Sequence, residues 1–112
     1  MVSISIISPV YKAEECIQEL YNRLVSNAEK ITNDFEIILV EDGGQDNSWN
    51  LIKEISKKDP RVKGIKLSRN FGVHHAITAG IDLASGDWTF VIECDLQSPP
   101  EKMIDLYEKA IK

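Results

Sequence analysis

The chain is 112 residues long, with 43% apolar and 28% charged residues, a balance that suits one small folded domain and excludes a disordered or fibrous polypeptide. Its formal net charge of −5 argues against a nucleic-acid partner, which needs a basic face. Two cysteines, Cys16 and Cys94, are too few for a disulfide framework and lack metal-type spacing, so both are expected as reduced thiols.

Four short apolar runs alternate with four segments of helical period. Residues 3–8 read as a first strand with serines interleaved. Ile17, Leu20, Tyr21, Leu24, Val25, Ala28 and Ile31 then form one stripe of an amphipathic helix. Residues 35–40 are nearly continuous in apolar character, as suits a parallel strand buried on both faces. Leu51, Ile52 and Ile55 mark a shorter helix, with Asp46, Asn47 or Ser48 as its cap. Residues 62–67 are a strand interleaved with lysines; this strand and the first are expected nearer a sheet edge. Ala76, Ile77, Ala79, Gly80, Leu83 and Ala84 give a helix with a small face that can lie close to a sheet. Residues 88–92 are again nearly continuous in apolar character, as suits a strand buried on both faces. Ser98-Pro99-Pro100-Glu101 is a capping box with prolines in the first turn, opening a helix through Met103, Ile104, Tyr107 and Ile111.

The order βαβαβαβα predicts an α/β fold, a Rossmann-like parallel sheet with helices on both faces. Residues 1–112 are expected to form one domain without repeats or linkers. No apolar run approaches the roughly 18–20 residues of a membrane span, and the N-terminus has no signal-peptide pattern.

Ligands of open α/β sheets bind at the carboxyl ends of the strands. Those ends carry Pro9-Val10-Tyr11, Glu41-Asp42-Gly43-Gly44, Ser68-Arg69-Asn70-Phe71-Gly72 and Glu93-Cys94-Asp95-Leu96-Gln97. Alternate residues of a strand point the same way, so Glu93, Asp95 and Gln97 can offer oxygens to one cleft, a donor set that suits Mg²⁺ or Mn²⁺ beside a diphosphate. The same acidic stretch also fits a solvated turn that caps the next helix. Glu41 and Asp42 are consecutive, so only one carboxylate is expected in the cleft, where it can accept a hydrogen bond from a base; a turn or cap fits the pair equally well. Tyr11 can stack on a base or simply pack. Arg69, with Asn70 and Gly72, can approach a phosphate or stay solvated. Adjacent on a helix, His74 and His75 project about 100° apart, so they read as surface or packing residues. Trp49 and Trp88 read as packing.

In order, the segments Ile7-Ser8-Pro9-Val10-Tyr11, Val40-Glu41-Asp42-Gly43, Asp46-Asn47-Ser48-Trp49, Ser68-Arg69-Asn70-Phe71-Gly72, Thr78-Ala79-Gly80-Ile81-Asp82 and Asp95-Leu96-Gln97-Ser98-Pro99-Pro100 resemble the family-2 inverting glycosyltransferases of GT-A fold. The subgroup most similar is that of the polyprenyl- or dolichol-phosphate hexose synthases, and the likeness covers essentially the whole chain. It implies the nucleotide-binding half of that fold, a UDP- or GDP-linked sugar donor, and a lipid-phosphate or glycan acceptor. It further implies substrate contacts from Pro9, Tyr11, Glu14, Asp42, Gly43, Arg69, Asn70 and Asp95, and Mg²⁺ or Mn²⁺ on Glu93, Asp95 and Gln97. The sequence departs from the family pattern at Lys12-Ala13 (asparagine and glutamate in the family), and at Glu41 and Glu93, where aspartates are usual.

In that family the base that deprotonates the acceptor lies further along, so the segment is expected to bind nucleotide without transferring sugar. The parent protein is expected in the cytoplasm at the inner membrane face, and a homodimer through a cut sheet edge is allowed. Three other readings compete. A receiver-like signalling module would carry its acidic pair after the first strand. A dinucleotide oxidoreductase would carry G-x-G-x-x-G there. The third is a nucleotide-binding domain with a degenerate, non-catalytic site.

Overall fold

The computed structural model describes residues 3–11, 14–44 and 46–92. In chain order the elements are β1 (Ile4–Val10), α1 (Ile17–Glu29), β2 (Phe35–Glu41), α2 (Ser48–Lys58), β3 (Val62–Lys66), α3 (Val73–Leu83) and β4 (Trp88–Val91). All pairings are parallel, and the strand order is β3-β2-β1-β4. The α/β fold expected from the alternating pattern is therefore present. The fourth expected helix, at 98–111, lies outside the described residues.

Side-chain parity decides which helix covers which face. Ile4, Ile6 and Val10 of β1 join Ile37 and Leu39 of β2 in one cluster with Ile17, Leu20, Leu24 and Ala28 of α1 and Ile52 and Ile55 of α2. The opposite face carries Ile7, Ile38 and Val40 against Ala76 of α3. Trp49 and Trp88 pack against the first cluster, as expected. α3 lies close because its face is small: a Cβ on Gly80 would come within 2.5 Å of Ile7 Cγ2.

Two expectations about burial are corrected. The serine-bearing β1 is central, flanked by β2 and β4, and every residue of it is buried. Its serines are tolerated because Ser5 sits in a polar node. The Ser5 hydroxyl donates to Glu36, and the Gly86 N–H donates to Ser5. Ser8, equally buried, has no partner for its hydroxyl among the described residues. β4, expected to be buried on both faces, exposes Thr89 and Val91. It forms one edge of the described sheet, and those two residues share the α3 face through their register with Ser5 and Ile7. β3, at the other edge, lies where its lysines suggested. β1 also runs two residues further than expected, through Pro9. Since Ile4 N–H bonds toward β2 and Ile7 C=O toward β4, alternation turns the missing N–H of Pro9 to the β4 side. That is beyond the last residue paired there.

Two buried carboxylates brace the frame. Glu36 accepts from Ser5 Oγ, from Lys63 Nζ at 2.8 Å and from Ser85 N–H at 2.7 Å, tying β1, β2, β3 and the α3–β4 loop together. Asp59, at the carboxyl end of α2, takes a two-point contact from the Arg61 guanidinium at 3.0 and 2.9 Å and the Tyr21 hydroxyl at 2.6 Å. Arg61 also lies 4.6 Å over the Phe35 ring.

Burial alone would raise the Glu36 carboxyl, but hydrogen bonds from Lys63, Ser5 and Ser85 outweigh it and lower it from 4.5 to about 2. The Arg61 contact, against a smaller effect of burial, holds Asp59 well below the usual carboxylate range. Both groups therefore favour folding above their unfolded values and lose that contribution as pH falls. The melting temperature is expected to be flat near neutrality and to fall steadily below pH 4.5. Glu36→Gln should cost on the order of 2 kcal/mol at pH 7, discounted for the half-exposed Lys63, and flatten the acid limb without abolishing it, because Asp59 remains. Thermal melts across pH check both statements; an unchanged acid limb would exclude Glu36 as its source.

Candidate functional site

With the order β3-β2-β1-β4, the chain steps outward from β1 to β3 and then returns to the other flank of β1. Open α/β sheets bind ligands at the carboxyl ends of their strands, where the order reverses. Here that point lies between β1 and β4. Residues 9–11, 41–44 and 68–72 leave the carboxyl ends of β1, β2 and β3 around it.

Glu41 and Asp42 part company at the end of β2. Glu41 is fully buried, and its carboxylate turns forward along its own chain. One oxygen accepts the Gly43 N–H at 3.1 Å and the other the Gly44 N–H at 2.5 Å. It builds the turn. Asp42 is 4% exposed; its N–H donates to Val10 C=O at 2.8 Å, which fixes it to the end of β1. Its Oδ1 accepts the Phe71 N–H at 3.0 Å. Among the described residues no hydrogen bond is made to the second oxygen of Asp42, and no cation pairs with either acid.

Gly43 makes this apposition possible. Its φ is +75°, and a Cβ there would lie 2.0 Å from the Arg69 carbonyl carbon and 2.2 Å from the Asn70 nitrogen. Only glycine both adopts that backbone and lets the two loops touch. Beyond the contact, Arg69 lies 4.8 Å over the Phe71 ring, and Phe71 stands 5.9 Å from the His75 ring. Asn70 turns its side-chain oxygen to the Gly72 N–H at 3.0 Å.

The other expected site residues fall as follows. Pro9 is buried inside β1 opposite Val40, and Tyr11 is 44% exposed at the rim. Glu14 is exposed, and its N–H donates to Asp46 Oδ2 at 3.4 Å. Asp46 also accepts the Ser48 N–H at 3.1 Å, so it serves the start of α2 in place of the Asn47 side chain. Burial opposes its ionisation, but bonds from Ser48 and the Glu14 N–H hold its carboxyl below the usual range. Pro9, Tyr11, Asp42, Gly43, Arg69 and Asn70 thus gather at one edge. Glu93, Asp95 and Gln97, and Cys94 with them, lie outside the described residues; Cys16 is a free thiol. No group of three or more potential metal ligands occurs among the described residues, and no helix there is long and apolar enough to cross a membrane.

Two features were not fixed by the sequence: which of the two open readings of Glu41 holds, where the structure gives the turn, and the Phe71 N–H as Asp42's partner. The glycine pair after Glu41-Asp42 was the available signal for the first, since glycines leave their N–H groups open to a nearby carboxylate. Nothing local signalled the second, a contact across 29 residues.

A model described as Glycosyl transferase family 2 matches residues 5–112. A Bacillus subtilis (strain 168) protein described as "Uncharacterized glycosyltransferase YkcC" is 44% identical over 108 residues, covering 96% of this chain and 33% of that protein. An undecaprenyl-phosphate 4-deoxy-4-formamido-L-arabinose transferase of Shewanella sediminis (strain HAW-EB3) is 40% identical, again over 96% of this chain and 33% of that protein. The chain therefore spans about a third of the length of the curated relatives it matches. Among solved structures, S. aureus TarS 1–349 superposes with a TM-score of 0.75 at 21% identity, over 97% of this chain and 32% of TarS. A mannosyltransferase from Pyrobaculum calidifontis in complex with GDP-Man and Mn²⁺ gives 0.75 at 16% identity, over 90% and 30%. These two likenesses are of fold.

Gly43→Ala is expected to cost about 2–4 kcal/mol, combining left-handed strain with a backbone collision that must displace the 69–72 loop. Gly72→Ala isolates the strain: its φ of +101° and ψ of 159° suit only glycine, but a Cβ there meets nothing within 4 Å, so about 1–3 kcal/mol of strain should appear without a collision. Equal costs by denaturant titration would show that the loops do not need the clearance at Gly43.

Proposed function

The chain belongs to glycosyl transferase family 2, and from that premise we propose that it supplies the nucleotide-binding half of a glycosyltransferase that takes a hexose from a nucleoside-diphosphate sugar. The observation that carries this reading is the second oxygen of Asp42. Its partner oxygen is occupied by the Phe71 N–H, which fixes the carboxylate at the carboxyl edge of the sheet, beside the end of β1. A fixed carboxylate oxygen there accepts the imide or amide N–H of a uracil or guanine base.

In this reading Pro9 gives the base pocket a rigid floor at the end of β1, and Tyr11 stacks on the base from the rim. Gly43 lets the 69–72 loop close against the end of β2, which brings Arg69 and Asn70 beside Asp42. Arg69 and Asn70, beside Gly43, face the diphosphate, with the Phe71 ring holding the Arg69 guanidinium in place. Glu14 lies at the rim, tied through its N–H to Asp46. Glu93, Asp95 and Gln97 bring all-oxygen donors of the kind a hard cation takes, and Mg²⁺ or Mn²⁺ is assigned to them. Such a cation neutralises the charge that develops on the departing diphosphate.

The acceptor belongs to the same proposal. The Shewanella relative is named for undecaprenyl phosphate, and a polyprenyl phosphate or a growing glycan is the acceptor class assigned here, with transfer by inversion. A lipid-linked acceptor and a nucleotide-activated donor place the whole protein at the cytoplasmic face of a membrane. Deprotonation of the acceptor is assigned to the length that the relatives have and this chain does not share, so the 112-residue chain is expected to bind donor nucleotide without turnover.

Calorimetric titration with UDP and with GDP, each with and without Mn²⁺, tests the proposal. One of the two nucleotides should bind, and Mn²⁺ should tighten it by at least ~10-fold, about 1.4 kcal/mol. Asp95→Ala should remove the metal effect and leave the metal-free binding. Nucleotide binding indifferent to Mn²⁺ would favour a degenerate site, and binding of neither nucleotide would reject the proposal.

A further inference from the structure

We propose that Glu41 is a positioning residue for the nucleotide site: it touches no ligand, and it sets the place of Asp42 and, through Asp42, of the 69–72 loop. The inference rests on the reading of Asp42 as the base contact and adds the device that holds it.

The geometry runs in one chain of contacts. Glu41 closes β2, where its C=O accepts the Leu67 N–H at 2.9 Å, so its main chain is anchored to β3. Its side chain then reaches past Asp42 and accepts the next two N–H groups, those of Gly43 and Gly44. Asp42 is thereby held from both sides. Ahead of it, Glu41 is locked in the sheet; behind it, the turn is locked to the Glu41 carboxylate. Asp42 passes this constraint on by accepting the Phe71 N–H at 3.0 Å, while Gly43 abuts Arg69 and Asn70.

The chemistry of the side chain matters at each step. Each N–H takes its own carboxylate oxygen, where a glutamine would offer one oxygen in place of two. An alanine at this position would offer no acceptor and would leave the Gly43 and Gly44 N–H groups without their partner. Glu41 is fully buried, with no cation beside it among the described residues. Its hydrogen bonds to the turn are what offset the desolvation of its charge. A carboxylate so placed specifies a backbone conformation more than it adds net stability.

The test uses Glu41→Ala and the isosteric Glu41→Gln, read by amide hydrogen exchange and by titration with UDP and GDP. In Glu41→Ala, which removes both acceptor oxygens, the Phe71 amide should exchange at least ~10-fold faster relative to the core amide of Ile38. Nucleotide should bind about 10-fold more weakly. Glu41→Gln keeps one acceptor oxygen and should fall between. A purely structural role would raise exchange at Phe71 and Ile38 alike and leave the ratio unchanged, which would overturn the proposal; so would unchanged exchange at both. If wild-type protein binds neither nucleotide, the site reading fails, and the Phe71 to Ile38 ratio still decides whether Glu41 positions Asp42.

Discussion

The contact between the β2 and β3 loops is the constraint on which the carboxyl edge depends. Two stretches of main chain touch at Gly43 with no room for a side chain between them, and the contact is stitched by the Asp42 to Phe71 bond and braced by Glu41. Close main-chain approach is costly unless each polar group finds a partner. Here Gly43, Gly44 and Phe71 each donate to a carboxylate oxygen, so the acids at the end of β2 resolve that packing problem.

The two ends of the sheet treat acid differently. At the amino end Glu36 is paired with Lys63, and the turn into β3 pairs Asp59 with Arg61. Those charges are neutralised locally, and their effect is stability that depends on pH. At the carboxyl end Glu41, Asp42 and Asp46 take hydrogen bonds from N–H and O–H groups, and no lysine or arginine ion pair is made to them among the described residues. Neutral donors offset part of the desolvation but leave the negative charge in place. An edge with that excess suits a ligand that brings a cation, in keeping with a nucleoside diphosphate and its metal.

Much of this was legible from periodicity. The α1 stripe, the alternation that forces a parallel sheet, and the small face of α3 all depend on local spacing, and the structure has each of them. Errors arose where burial was inferred from polarity. The serines of β1 suggested an edge because their partners are distant: Glu36 lies 31 residues from Ser5 and Gly86 lies 81 away. β4 looked buried on both faces because it is nearly continuous in apolar character, yet Thr89 and Val91 are exposed, since composition does not say what covers a face. At the end of β2, Glu41 and Asp42 turn to different partners, the Gly43-Gly44 turn and the Phe71 N–H. The second contact was not readable, because its partner lies 29 residues away.

Paramagnetic broadening by Mn²⁺ in the presence of UDP or GDP is the most direct test of where ligand binds, since the effect falls steeply with distance from the ion. Amide signals of Tyr11, Asp42, Gly43, Asn70 and Phe71 should broaden, while those of Ser5, Glu36 and Ser85 at the opposite end stay sharp. Broadening centred on Glu36 and Ser85, or spread evenly over the surface, would contradict a nucleotide and metal site at the carboxyl edge.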